Sequence, residues 1–245
     1  PNEDLPQLAQ DIHSKFKVDV KILEKNLAHS DAAETVFEWT QEEGLTIQIL
    51  VNNAGMGTLG PFHETDVPKH KVMLALNMDT PYLLSRYFLP GMLALDAPAY
   101  IMNMTSQAAF FPIPYKATYG ATKVFLHSIS NALQFELRGT NVHVCSVTPS
   151  GVLTNDDIRK RIAVSGFWGR ISAFEPEDIA RMSVRGMLRK KRTVIPGVVN
   201  KLTYFLSRVL PIPWSMWMAE HRFKKDPEML EAKKIKDDQP AHNQA

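Results

Sequence analysis

Hydrophobic residues recur along this chain in two alternating patterns, the spacing of amphipathic helices and the apolar or alternating runs of strands. Helical spacing predicts helices over residues 5–16, 32–44, 65–95, 115–137 and 175–188. The runs predict strands over residues 18–23, 46–51, 100–104, 142–147 and 193–195. Strands that alternate with helices of this length form right-handed βαβ units, so the pattern predicts an α/β fold with a parallel sheet.

Length and composition fit one globular domain. The chain has 245 residues, 44% of them hydrophobic, and its net charge of +2 gives no strong field that would draw it to nucleic acid. The single cysteine, Cys145, can form no internal disulfide, which indicates a reducing compartment such as the cytoplasm. The sequence contains no recognisable cluster of zinc ligands, so we expect no metal site.

The alternating pattern becomes less regular towards the C-terminus, where it predicts several distinct segments. We expect one domain over residues 1–222, a lid within it over 154–172, an apolar segment over 198–218, and a charged, disordered tail over 223–245. The apolar segment contains aromatic residues flanked by bases, which is typical of a membrane interface. Pro211 and Pro213 interrupt it, however, which favours a helix that packs over a substrate pocket or against another subunit.

Tyr119 and Lys123 are the first candidates for chemistry, because they lie four residues apart and share one face of a predicted helix. A phenol can act as an acid or base near neutral pH only if positive charge stabilises its phenolate, and we expect Lys123 to supply that charge. Ser106 lies thirteen residues before Tyr119, at the end of a predicted buried strand. Hydride transfer to a carbonyl leaves charge on its oxygen, where Tyr119 and Ser106 could donate a proton and a hydrogen bond.

With these residues in place, the sequence resembles the short-chain dehydrogenase/reductase family, specifically its single-domain branch. The matching motifs, in order, are Asn52-Asn53-Ala54-Gly55, Asn77, Ser106, Tyr119-x-x-x-Lys123 and Pro149-Ser-Gly-Val152-Leu-Thr154. The resemblance covers residues 2–196. It implies a Rossmann-like, doubly wound parallel sheet with helices on both faces, and an NAD(P)-dependent oxidoreductase.

The resemblance also implies a role for each matched residue. Tyr119 would be the general acid/base, Lys123 would lower its pKa and bind the nicotinamide ribose, and Ser106 would bind the substrate oxygen. Asn77 would hold a proton-relay water, although an asparagine can also simply end or kink a helix. The residues expected at the cofactor are Asn26, Leu27, Asn53, Ala54, Gly55, Tyr119, Lys123, Pro149, Val152 and Thr154.

Several features depart from the family pattern. The glycine-rich phosphate-binding loop and the first βαβ portion are absent from this sequence, so we expect the chain to be part of a longer protein; the strand over 46–51 would otherwise have an open edge. If complete as given, the chain should bind dinucleotide poorly. Gly55-Met-Gly57-Thr-Leu-Gly60 matches a dinucleotide pattern, but the next helix starts too late to bind a pyrophosphate. Asn26 and Ser150 replace a usual aspartate and glycine.

We therefore expect an enzyme that interconverts an apolar ketone or aldehyde and its alcohol, with NADP or NAD as cofactor and NADP favoured by the family branch. Phe110 and Trp168 are the expected substrate contacts, although Phe110 fits a core or subunit contact equally well. The resemblance implies a homodimer or homotetramer, and residues 198–218 allow peripheral membrane contact. The alternative function is a non-catalytic binding or membrane-associated scaffold, which the missing glycine loop favours and the complete set of four polar residues argues against.

Overall fold

The computed structural model describes residues 4–164, 166–209, 211, 213–214 and 216–217. The elements in chain order are α1 (Asp4–Phe16), α2 (Ala32–Glu42), β1 (Ile49–Asn52), α3 (Val67–Leu74), α4 (Thr80–Leu93), β2 (Ala99–Met104), α5 (Ala117–Glu136), β3 (Val142–Val147), α6 (Asp156–Val164), α7 (Gly166–Ser172), α8 (Pro176–Leu188), β4 (Thr193–Val194) and α9 (Val198–Val209). A π turn, Ala75–Asp79, joins α3 to α4, and a 3-10 turn, Gln107–Ala109, follows β2. The tail predicted over 223–245 lies outside the described residues.

The described strands form one parallel sheet in the order β1-β2-β3-β4. The register pairs Asn52 of β1 with Asn103 of β2, and Asn103 with Ser146 of β3. Polar residues therefore meet near the carboxyl ends of adjacent strands. The predicted α/β fold with a parallel sheet is confirmed.

Helices cover both faces of this sheet, because alternate residues of a strand point to opposite sides. Ile101 and Val144 belong to a buried cluster with side chains of α2 and α4. Met102 and Cys145 belong to a second cluster, which includes Met187 of α8. The two clusters place α2 and α4 on one face and α8 on the other, as a doubly wound sheet requires.

The long helix predicted over residues 65–95 is present but interrupted. Pro68 lies in the first turn of α3, as expected, and the π turn then separates α3 from α4. The helix predicted over 115–137 begins later, at Ala117, because Tyr115 has a positive φ of 64° and cannot continue a right-handed helix.

The strand predicted over residues 18–23 is wrong. Residues 17–26 have no regular secondary structure, and Val18 and Ile22 are 49% and 41% exposed. A strand forms only where a neighbouring strand takes up its backbone hydrogen bonds, and the sheet of the described residues ends at β1. Among the described strands β1 pairs with β2 alone, so its outer edge is open, as expected.

Candidate active site

The predicted polar residues come together at the carboxyl ends of β1 and β2. Ser106 begins the 3-10 turn that follows β2, and its hydroxyl accepts a hydrogen bond from the Ala108 backbone N–H at 3.2 Å. Tyr119 and Lys123 come from the first two turns of α5, and Asn77 comes from the π turn. In open parallel sheets ligands bind at this edge, so the location is suitable for an active site.

Tyr119 and Ser106 are neighbouring side chains in the site. Burial raises the pKa of the Tyr119 phenol above its ordinary value, and the hydrogen bond with Ser106 partly offsets this rise. The Lys123 Nζ lies 5.8 Å from the centroid of the Tyr119 ring, and Lys116 Nζ lies at 5.7 Å. Lys123 is not among the groups that shift this pKa, so our expectation that Lys123 lowers the pKa of Tyr119 stays a prediction.

Lys123 is a buried ammonium group with one hydrogen-bond partner among the described residues. Its side chain is only 5% exposed, and its Nζ donates a hydrogen bond to the Met104 carbonyl at 2.9 Å. Burial lowers the pKa of Lys123 to about 8, because the charged form loses its hydration. An ammonium has three N–H donors, so two remain for a ligand hydroxyl beside this helix.

Asn77 connects the π turn to the loop after β1. Its Oδ1 accepts from the Met56 N–H at 2.9 Å, and its Nδ2 donates to the Met56 carbonyl at 2.8 Å. The same Nδ2 lies 3.0 Å from the Thr122 hydroxyl of α5. Asn77 thus lies where the long helix is distorted, and its contact with Thr122 joins that distortion to α5.

Two glycines bring the loop after β1 close to these side chains. A methyl group at Gly55 would lie 3.0 Å from Asn77 Oδ1 and 3.3 Å from Lys123 Nζ. A methyl group at Gly57 would lie 3.2 Å from the Tyr119 ring. The next helix after these glycines begins only at Val67, in agreement with our rejection of a pyrophosphate site on the Gly55-to-Gly60 pattern.

The other expected cofactor residues occupy loops at the same side of the fold. Asn53, Ala54, Gly55, Asn26 and Thr154 are exposed, whereas Pro149 is buried. The Leu27 carbonyl accepts a hydrogen bond from Thr80 Oγ1 at 2.6 Å, which fixes this loop to the start of α4. Val152 forms a bridge with Phe174, which fixes the loop after β3.

The structure describes the side chain of only one of the two expected substrate contacts, Phe110. The Phe110 ring packs edge-on against His127 at 5.3 Å and against Tyr204 of α9 at 4.5 Å, between α5 and α9. The side chain of Trp168 lies outside the described part of the structure, although the backbone around it forms α7. Both substrate assignments therefore stay predictions.

Sequence reasoning missed several residues that hold the site together. Thr122 is fully buried and donates to the Tyr119 carbonyl at 2.7 Å, and its place one residue before Lys123 could have drawn attention to it. Asn52 Nδ2 lies 2.7 Å from Asn103 Oδ1, and Asn103 Nδ2 donates to Ser130 at 2.8 Å. An asparagine inside an apolar strand is the signal that could have revealed Asn103, because a buried amide requires partners.

Comparison with known proteins identifies the family of this chain. A family model described as short chain dehydrogenase matches residues 1–163. The human very-long-chain 3-oxoacyl-CoA reductase is 34% identical over 154 residues, which cover 61% of this chain and 48% of the relative. The 7beta-hydroxysteroid dehydrogenase of Clostridium sardiniense is 25% identical over 205 residues, covering 81% of this chain and 74% of the relative.

Solved structures agree at the level of the fold. A structure of a 7beta-hydroxysteroid dehydrogenase superimposes with a TM-score of 0.77 at 24% identity, covering 89% of this chain and 83% of the other. A short-chain dehydrogenase from Sphingobium yanoikuyae in complex with NADPH superimposes with a TM-score of 0.67 at 21% identity, covering 98% and 84%. The chain spans about half the length of the very-long-chain 3-oxoacyl-CoA reductases that it matches.

Proposed function

Since the chain belongs to the short-chain dehydrogenase family, we propose that it is an NAD(P)-dependent oxidoreductase that interconverts an apolar ketone or aldehyde and its alcohol. The observation that carries this proposal is the placement of the Ser106 and Tyr119 side chains as neighbours beside the buried ammonium of Lys123. Two hydroxyl groups that meet at one point can bind one carbonyl oxygen. This is the arrangement that stabilises charge developing on that oxygen.

In the reduction direction Tyr119 donates its proton to the substrate oxygen, while Ser106 donates a hydrogen bond to it. A bound nicotinamide dinucleotide supplies the hydride that the carbonyl carbon receives. Lys123 compensates the negative charge that remains on the Tyr119 oxygen after the proton has left.

The residues around the site fit a dinucleotide. Lys123 retains two N–H donors for ribose hydroxyls, and the exposed Asn53, Ala54 and Gly55 offer backbone groups beside it. A side chain at Gly55 would fill the space next to Asn77 and Lys123, which agrees with a backbone that must leave room for a ligand. We propose NADP(H) as the preferred cofactor, in line with the family branch that the sequence resembles.

The names of the relatives support an apolar substrate. They include very-long-chain 3-oxoacyl-CoA reductases and a 7beta-hydroxysteroid dehydrogenase, whose names describe acyl or steroid substrates. We propose that Phe110 and Trp168 contribute to the apolar wall of the substrate site. Their replacement by alanine should raise KM for a bulky ketone more than for a small one.

The test of the proposed function is turnover of a panel of steroid, aryl and long-chain ketones with NADPH and with NADH, before and after Tyr119→Phe. The substitution should abolish ketone reduction while leaving NADPH affinity, measured by nicotinamide fluorescence, within about twofold of the wild type. Tyr87→Phe is the matched control, because Tyr87 lies away from the site. Its ring stacks on that of Phe37, with 5.4 Å between the ring centroids.

Either of two results would decide against this enzyme. Turnover that survives Tyr119→Phe would refute the assigned chemistry. Failure to bind either dinucleotide, both by the chain as given and with any native leading segment restored, would favour the alternative, a non-catalytic scaffold with the same fold. Tighter binding of NADPH than of NADH is expected from the proposed cofactor preference.

We further propose that the protein is cytoplasmic and touches anionic membranes through the outer face of α9. Exposed apolar side chains follow helical spacing along this face, namely Val198, Leu202, Phe205 and Val209, and the chain beyond it exposes Trp214 and Trp217. Lys201 and Arg208 on the same helix supply positive charge. Among the described residues, no helix is both long and apolar enough to cross a bilayer.

Cosedimentation with vesicles tests this contact. We expect binding to vesicles that contain phosphatidylglycerol, weaker binding to pure phosphatidylcholine, and a loss with Phe205→Glu. Val124→Glu, at an exposed apolar position of α5, is the matched control. Absence of vesicle binding would refute the proposal, and an accompanying concentration-dependent increase in size would show that another subunit covers the face. The homodimer or homotetramer implied by the resemblance is tested by the same size measurement.

A further inference from the structure

A chain of side-chain hydrogen bonds runs behind the candidate site, from α5 to the end of β2. His127 Nδ1 lies 2.8 Å from the Ser146 hydroxyl, which lies 3.1 Å from the Thr105 hydroxyl. On the other side of the ring, His127 Nε2 lies 3.0 Å from the amide nitrogen of Asn131. Thr105 directly precedes Ser106, so this chain ends one residue before the one that carries a site hydroxyl.

The donors and acceptors along the chain have one consistent assignment. The Thr105 hydroxyl donates its one hydrogen to the Val147 carbonyl at 2.7 Å, so it must accept the hydrogen bond from the Ser146 hydroxyl. Because the Ser146 hydroxyl donates to Thr105, it must in turn accept a hydrogen bond from Nδ1–H of His127. The hydrogen-bonded partners therefore place a proton on Nδ1.

The opposite ring nitrogen must be an acceptor. The amide nitrogen of Asn131 also donates to the His127 carbonyl at 2.9 Å, which fixes the orientation of that amide. Because an amide nitrogen can only donate, the facing Nε2 carries no proton. A neutral imidazole with its proton on Nδ1 satisfies every member of the chain, whereas an imidazolium would set two donors against each other at Nε2.

We propose that His127, as this neutral tautomer, is a positioning residue that holds Thr105 and thereby sets the place where Ser106 meets Tyr119. This inference rests on the roles proposed above for Ser106 and Tyr119. His127 follows Lys123 by four residues, so the helix that carries Tyr119 also carries the support for Ser106. One rigid element thus fixes the distance between the two hydroxyls on which the proton transfer depends.

The surroundings of the ring favour its neutral form. Burial lowers the pKa of His127, and the positive charge of Arg208 on α9 lowers it further. The other titratable group on α9 near this point is Tyr204, which stacks on Phe110 beside the ring. From β3 the ring meets the Ser146 hydroxyl, and on α5 the nearest basic residue along the helix is Lys123. The chain of hydrogen bonds should therefore persist at neutral pH and fail in acid.

The sharpest test is a double-mutant cycle with the best ketone of the panel and NADPH. His127→Leu should lower kcat by about tenfold, the loss expected for one hydrogen bond, with little change in KM for NADPH. In the Ser106→Ala background the same substitution should have no further effect, because its target is already gone. His143→Leu is the matched control, since His143 is a partly buried histidine of β3 that faces Tyr100 at 5.6 Å.

A conservative variant separates positioning from mere packing. His127→Asn keeps an amide N–H near the position of Nδ1 and should retain most of the neutral-pH activity. It should also lose the fall in kcat that we expect of the wild type in acid, at a pH below the one at which an ordinary histidine gains its proton, because the pKa of His127 is lowered. The proposal would be overturned if His127→Leu lowered kcat by the same factor in the wild type and in the Ser106→Ala variant.

A measurement on the unmodified protein needs no turnover. The nitrogen chemical shifts of the His127 ring, from NMR of the full chain at pH 7.5, should show a protonated Nδ1 and a bare Nε2. The reverse tautomer, or an imidazolium, would overturn the inference even if Tyr119→Phe abolishes turnover. If Tyr119→Phe instead retains turnover while the expected tautomer is seen, the proposed function fails and the hydrogen-bond chain stands.

Discussion

Replacement of Lys123 by methionine should stabilise the free protein at neutral pH while it removes activity. The lysine is buried, and its pKa is lowered from 10.5 to about 8. This difference corresponds to about 3 kcal/mol that favours the neutral amine in the native state. Below pH 8 the native protein must keep an ammonium in a desolvated place, and a methionine of similar length imposes no such cost.

The sign of the pH dependence follows from proton binding. Between about pH 8 and 10.5 the unfolded chain still holds the Lys123 proton and the native protein does not, so wild-type stability rises with pH in this range. Relative to Lys123→Met, the free energy of unfolding of the wild type should increase by about 2 kcal/mol between pH 8 and 9.5. Below pH 8 the difference between the two proteins should stay constant.

Urea unfolding of both proteins at pH 7, 8, 9 and 9.5 measures this difference. Lys69→Met, at an exposed position of α3, corrects for the loss of one lysine charge. A constant difference between wild type and Lys123→Met across the whole range would refute the reasoning, because it would show that the native ammonium keeps its proton as readily as the unfolded one. Lys123→Met should also abolish ketone reduction, as expected for a residue that compensates charge on Tyr119.

Two further predictions concern the space around the site and the core. Gly55→Ala should destabilise the protein by about 1–3 kcal/mol and weaken NADPH binding, because the added methyl group would lie 3.0 Å from Asn77 Oδ1. Gly91→Ala is the matched control, because a methyl group added at Gly91 would have nothing packed within 4 Å of it. Urea unfolding and fluorescence titration with NADPH compare the two variants. Equal stability of both variants would contradict the packing argument. Cys145 is 2% exposed and burial raises its pKa to about 12, so a thiol reagent should modify it only at the rate of unfolding. Rapid modification of the native protein at pH 8 would contradict the buried position of this thiol.

Much of the fold was predictable because its signals are local. The period of apolar residues predicted β2, β3 and most helices within a few residues of their observed ends. The prediction failed for residues 18–23, whose alternation is real but whose backbone has no adjacent strand in the described sheet. It also could not foresee the π turn around Asn77, where the Asn77 side chain is hydrogen-bonded to the backbone of Met56, which is distant in sequence.

Some features of the candidate site could likewise be predicted from the sequence, and others could not. The sequence alone placed Tyr119 and Lys123 on one helix face and Ser106 at a strand end, since these relations follow from helix geometry and the strand pattern. Only the tertiary structure decided that burial raises the pKa of Tyr119 and that His127 reaches Thr105 through Ser146. Spacing along one element is a property of the chain, whereas desolvation and hydrogen-bond partners arise from segments that meet only after folding.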